Sequence, residues 1–94
     1  MYKFYLGCDV SKGYADFVIL DNKKNISEKH FTLDDTATGH QQLYQILQSF
    51  FEKNSDAVVY AAVESTGGYE NNWYHLLATI GRTLPVKTAR LNAR

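Results

Sequence analysis

YKFYLGCDV, residues 2–10, alternates with the period of a β-strand: Tyr2, Phe4, Leu6, Cys8 and Val10 fall on one face, and Lys3, Tyr5, Gly7 and Asp9 on the other. Asp9 therefore sits near the carboxyl end of a first strand. Residues 14–20, rich in aromatic and β-branched side chains, predict a second strand. The Asp21-Asn22-Lys23-Lys24-Asn25 cluster predicts a hairpin-type loop into a third strand over residues 26–33. The chain thus opens with a three-stranded antiparallel meander.

Downstream the period changes. Leu43, Ile46, Leu47, Phe50 and Phe51 recur at helical spacing after Asp35, Thr36 and Thr38, each able to supply the N-cap, which predicts a helix over about residues 36–53. Gly39 weakens only its first turns. AVVYAAV, residues 57–63, is a near-continuous apolar run of the kind found in a strand buried on both faces, and Glu64 ends it. After the loop Ser65-Thr66-Gly67-Gly68, the residues Tyr69, Trp73, Leu76, Leu77 and Ile80 predict a second amphipathic helix, closed by Gly81. Residues 83–88 predict a short last strand, at a sheet edge because of Pro85. Residues 89–94, ARLNAR, read as the opening of a further helix without a closing signal, so the domain is expected to be incomplete at its carboxyl end.

The order is β-β-β-α-β-α-β, an α/β class. Right-handed crossovers set the fourth strand parallel to the first and give a strand order of 3-2-1-4-5. Ligands of open α/β sheets gather outside the carboxyl ends of strands where the winding reverses, here between strands 1 and 4. Asp9 and Glu64 are expected there, side by side. Two neighbouring carboxylates repel unless a cation lies between them, and hard divalent ions such as Mg²⁺ (or Mn²⁺) take oxygen ligands in this arrangement. A pair of such ions can activate an attacking water or hydroxyl and stabilise the leaving oxygen of a phosphodiester. Such sites use three or four carboxylates, and this sequence offers two, so weak metal binding is expected.

Two segments carry a family resemblance. GCDVSKGYADFVILD (residues 7–21) and VESTGGYE (residues 63–70) resemble the amino-terminal motifs of the DEDD insertion-sequence transposases related to pilin-gene-inverting recombinases, and the likeness extends over essentially the whole chain. The resemblance implies a RuvC-like RNase H fold in which Asp9 is the first catalytic aspartate and Glu64 the second carboxylate, both binding metal. It also implies that a closely spaced Asp pair follows Arg94. Family members carry a separate carboxyl-terminal domain with a serine implicated in strand exchange, and some are guided by a structured RNA. DNA as partner and a homo-oligomeric complete protein follow from the same resemblance. The chain alone, residues 1–94, is expected to be the inactive amino-terminal part of that domain.

Composition bounds these expectations. Ninety-four residues, 45% hydrophobic and 14% aromatic, suffice for one compact core. Ten basic and ten acidic residues cancel, so electrostatic steering to nucleic acid is weak. The single cysteine, Cys8, forms no internal disulfide. No apolar run approaches the roughly 20 residues of a membrane span, and a reduced, cytoplasmic setting without membrane contact is expected.

Lys12 and the Ser65, Thr66, Gly67, Gly68 loop are candidates to bring an ammonium and backbone N–H groups to a phosphate, with Tyr69 as a further motif residue. Asp16, Asp21, Asp34 and Asp35 read as solvated or capping groups. His30, His40 and His75 lack metal-ligand spacing, and Cys8 reads as a small core residue. Trp73 and Tyr69 fit the apolar stripe of the second helix. Two rival functions predict different partners. A piece of an actin-like or sugar-kinase-type ATPase would bind nucleotide, although the loop at Ser11-Lys12-Gly13 lacks the Gly/Thr richness that wraps a phosphate. A non-catalytic dimerisation or RNA-docking module would expose aromatics such as Tyr5 or Tyr14 in a patch.

Overall fold

The computed structural model describes residues 2–64 and 67–91. Their elements follow in the order β1 (Tyr2–Ser11), β2 (Tyr14–Asp21), β3 (Ile26–Asp34), α1 (Ala37–Lys53), β4 (Ala57–Glu64), α2 (Asn71–Ile80) and β5 (Val86–Leu91). They form one five-stranded sheet in the order β3-β2-β1-β4-β5. β1 to β3 run antiparallel, whereas β4 is parallel to both β1 and β5. Asp21 closes the β2–β3 loop by accepting the backbone N–H groups of Lys23 and Asn25, at 2.8 and 3.0 Å. These bonds, that from Asn25 foremost, hold its carboxyl below the usual range.

Alternation decides which face is covered. Leu6, Cys8 and Val10 of β1, Ala15, Phe17 and Ile19 of β2, and Val59, Ala61 and Val63 of β4 all point to one side. There they meet Leu43, Leu47 and Phe50 of α1 and Trp73, Leu77 and Ile80 of α2 in one continuous core. Trp73 is fully buried, its ring edge-on to Phe17 at 5.2 Å and to His40 at 4.9 Å. Tyr2, expected on this face, projects past the core and is exposed.

The opposite face carries no helix among the described residues. The apolar run of β4, expected to be buried on both faces, is covered along its whole length only on the helix side; on the other face Val58 is buried, Tyr60 and Ala62 are half-buried and Glu64 is exposed. Apolar composition registered the buried position in mid-sheet and carried no information about which layers lie above it.

The carboxyl-terminal segment also departs from expectation. Thr83, Leu84 and Pro85 form a turn, and the last strand spans Val86–Leu91, so Ala89, Arg90 and Leu91 are strand, not the start of a helix. They pair with Ala62, Val63 and Glu64, and that ladder outweighs their helical propensity. Residues 92–94 of that reading lie outside the described residues. Pro85 sits just before an edge strand, where its missing N–H costs no ladder bond and its carbonyl accepts from Val59 at 2.9 Å.

Thr36 is the N-cap of α1, its hydroxyl accepting the N–H of Gly39 at 3.0 Å. Gly39 itself is demanded by packing, because a Cβ there would lie 1.8 Å from the carbonyl oxygen of Asp34. Gly81 closes α2 for a similar reason: its φ of −63° needs no glycine, but a Cβ would lie 2.5 Å from the Val86 carbonyl oxygen. In an unpacked helix, Gly39→Ala would gain about 1 kcal/mol from propensity. Here it is expected to lose about 2 kcal/mol through the clash with β3, read as a lower midpoint in urea unfolding at unchanged slope. A raised midpoint would contradict the close approach.

Candidate functional site

The β1–β4 ladder runs in register from Tyr2 opposite Ala57 to Cys8 opposite Val63, so Asp9 and Glu64 are the next positions on adjacent strands. On the other side of β1, the two-residue turn at Lys12-Gly13 sets Asp9 directly opposite Asp16. All three carboxylates lie on the face without helices, in one row across β2, β1 and β4, with about 4.8 Å between neighbouring strands. Together with Gly7, Val18 and His30 they line one open cavity of about 440 Å³.

Asp16 is better anchored than a solvated carboxylate. It accepts a hydrogen bond from the Thr32 hydroxyl on β3, and its carboxylate lies 3.9 Å from Nε2 of His30, an ion-pair distance too long for a hydrogen bond. Asp16 and His30 are the cavity residues that sequence reasoning set aside. The signal for Asp16 was present, since a two-residue hairpin turn fixes register and hence which residue faces Asp9. His30 carried no comparable signal, because the β2–β3 ladder is interrupted by register shifts between Phe17 and Leu20.

The remaining candidates scatter. Lys12 is exposed at the β1–β2 turn. Ser65 and Thr66 lie outside the described residues. Gly67 and Tyr69 are exposed, so Tyr69 is no part of the α2 stripe, which begins with Trp73. The N–H of Gly68 is engaged by Oε1 of Glu70 at 3.0 Å, and Glu70, only 3% exposed, occupies the entrance to α2. An acidic side chain therefore already answers the positive end of that helix.

Asp35 also differs from its reading as a solvated or capping group. Oδ1 of Asp35 lies 2.6 Å from Nε2 of His40, and the Asp35 carboxylate accepts from Nδ2 of Asn72 at 3.2 Å. This small network ties the start of α1 to the start of α2, and His40 is a packed, half-buried group. Cys8, buried beneath the cavity, has its thiol pushed up to about 12, first by burial and then by the negative charge of Asp9, so it stays a neutral thiol at physiological pH. Among the described residues, no three His, Cys, Asp or Glu side chains are grouped to hold a metal ion. No helix among them is long and apolar enough to cross a membrane.

The mixed five-stranded sheet, its strand order and its two helices define an α/β fold. Among solved structures, it resembles the fowlpox virus Holliday junction resolvase with a TM-score of 0.52 and 12% identity, over 95% of this chain and 61% of that one. This chain thus spans less than two thirds of the resolvase's length, and at that identity the likeness is one of fold. The Aquifex aeolicus PPX-GPPA enzyme matches at a TM-score of 0.45 and 11% identity, over 96% of this chain and 36% of that one, too low a score to bear on the fold. No protein-family model and no curated protein matches the chain.

Carboxylates placed directly opposite one another on neighbouring strands repel, at roughly 0.2–1 kcal/mol per pair. Asp9→Asn is therefore expected to stabilise the chain by a few tenths of a kcal/mol to about 1 kcal/mol in metal-free low-salt buffer. The gain should shrink in 1 M salt, where the Debye length falls to about 3 Å. Thermal unfolding at both salt concentrations decides the matter, and a destabilised variant would mark Asp9 as a structural group.

Proposed function

We propose that the chain is the amino-terminal part of a divalent-metal-dependent DNA recombinase of the insertion-sequence transposase type, which cleaves and rejoins DNA. One observation carries the reading: Asp9 and Glu64, at the carboxyl ends of adjacent parallel strands, line one cavity on the face that no described helix covers. The resemblance of residues 7–21 and 63–70 to the transposase motifs supports it independently of geometry.

The donor set fits a hard cation in part. Asp9 and Glu64 are exposed, oxygen-bearing and unpaired with any lysine or arginine lining the cavity, and Asp16 adds a third negative charge. Mg²⁺ or Mn²⁺ would there supply Lewis-acid polarisation of a phosphodiester and activation of the attacking oxygen. Asp9 and Glu64 would hold and orient the ion. Asp16, restrained by Thr32, deepens the negative field that would attract it. The same reading carries DNA as substrate, a homo-oligomeric assembly and, as in some members of that family, a structured guide RNA.

The ATPase alternative is disfavoured by the β1–β2 turn at Ser11-Lys12-Gly13, which lacks the Gly/Thr richness that wraps a phosphate. The docking-module alternative is favoured by one observation, the partly exposed Tyr5–Tyr60 pair.

The test is Mg²⁺-dependent nicking of supercoiled and branched DNA by the protein that carries these residues. Asp9→Ala and Glu64→Ala are each expected to lower kcat by about 100-fold or more, since loss of even outer-shell partners of a metal site costs about 10–100-fold. Cleavage indifferent to Asp9, or a rise in Tm with ATP in place of DNA cleavage, would reject the proposal.

A further inference from the structure

Among the described residues lining the carboxylate cavity, His30 alone comes from β3, and it arrives through an irregularity of the sheet. Phe17 pairs with Phe31 and Ile19 with Glu28, so Lys29 and His30 together stand opposite Val18. Two residues against one is the count of a β-bulge, which re-aims side chains and recurs beside active sites. β3 lies two strands, about 10 Å, from β1. The His30 ring reaches back over β2 to within 3.9 Å of the Asp16 carboxylate. Asp16 is itself bonded by the Thr32 hydroxyl and stands directly opposite Asp9 in register.

The fold gains little from this placement. The His30 side chain is 64% exposed, and an exposed ion pair at that distance contributes little to stability. Blunting the edge of the sheet accounts for a bulge in β3, but not for an imidazole directed into a cavity of carboxylates. Chemistry does account for it. Cutting a phosphodiester leaves an alkoxide, a strong base that departs readily only when it is given a proton. Of the described side chains lining the cavity, Asp9, Asp16 and Glu64 only accept hydrogen bonds when ionised, and Cys8 is buried beneath the floor with its thiol pushed up to about 12. No lysine or arginine lines it. The imidazole is the remaining donor, and imidazoles exchange protons with water near neutral pH.

We infer that His30 is a catalytic proton donor of this site, protonating the sugar oxygen that leaves when a phosphodiester at Asp9 and Glu64 is cut, and that Asp16 is the positioning residue that holds the imidazole toward it. The inference rests on the DNA-cleaving reading. That reading already requires DNA at the cavity, so no other part of the open face, the one without a described helix, needs to be uncovered. In the step, the attacking oxygen bonds to phosphorus and the bond from phosphorus to the bridging sugar oxygen breaks. The electron pair stays on that oxygen, which takes a ring proton of His30 and leaves as a hydroxyl. The proton of the attacking group passes to water, and water returns one to the imidazole.

The test is single-turnover cleavage, by the protein that carries these residues, of paired DNA substrates that differ at one atom. One has the natural scissile phosphodiester, and the other has sulfur in place of the bridging oxygen that departs. A thiolate is a weak base and leaves without a proton. His30→Ala is therefore expected to slow cleavage of the oxygen substrate about 100-fold or more, while cleavage of the sulfur substrate stays within about 3-fold of the unaltered protein. His30→Gln, which cannot transfer a proton, should behave in the same way. Asp16→Asn, still able to accept from Thr32, should slow the oxygen substrate more than the sulfur one. Added imidazole should restore part of the rate lost by His30→Ala on the oxygen substrate, saturably, and none of that lost by Asp9→Ala. A purely structural histidine would show neither the sulfur effect nor the rescue. Equal losses on the two substrates, no loss, or no response to imidazole would overturn the inference. If Asp9→Ala abolishes cleavage of both substrates while His30→Ala slows both equally, the recombinase reading stands and the proton-donor role falls; cleavage indifferent to Asp9 rejects the recombinase reading and the donor role with it.

Discussion

The parallel ladder between β1 and β4 is the constraint on which the rest of the structure depends. It is made across a crossover of more than forty residues, so its loop-closure cost is met only when α1 packs its apolar stripe on the sheet. Once formed, it sets Leu6 beside Ala61 and Cys8 beside Val63 on the covered face. By the strict alternation of strands it sets Asp9 and Glu64 on the other. A slip of one residue would exchange the two faces, burying carboxylates and exposing the core.

The same alternation separates stability from chemistry. The helix-covered face holds the side chains that exclude water, including Trp73, Phe17 and Phe50. The open face holds groups that the fold tolerates but gains little from: three carboxylates in a row, a histidine beside them and a glycine where a larger residue would fit. Local sequence choices that cost stability without a structural return collect where function is expected. The Asp35–His40–Asn72 network has the opposite character, since it fastens the starts of the two helices to each other and lies away from the carboxylate row.

Much of this was legible in the residues. Period-2 alternation in residues 2–10 and 3.6-residue spacing from Leu43 to Phe51 gave the element types. The handedness of crossovers then gave the strand order, and with it the adjacency of Asp9 and Glu64. What was not legible depended on contacts between distant segments. Ala89 to Leu91 look helical in isolation and become strand because β4 offers them a ladder. Gly39 looks like a weak helix residue, and only the passage of the Asp34 carbonyl shows why nothing larger fits. The run in β4 signals burial, yet the second layer it suggested is not among the described residues. Asp16 was set aside because its role depends on hairpin register, which spacing alone encodes only once the turn is known to be two residues long.

The central claim is that Asp9 and Glu64 form one cation-attracting site on the open face. Amide NMR spectra of the ¹⁵N-labelled chain, with Mn²⁺ added in small steps, test it most directly, because paramagnetic broadening reports even a weakly bound ion by proximity. Broadening should appear first at residues 8–10, 15–17 and 63–64, and should be lost in Asp9→Ala. Broadening centred instead on Asp21 or on Asp34 and Asp35, or unchanged by that substitution, would contradict the account.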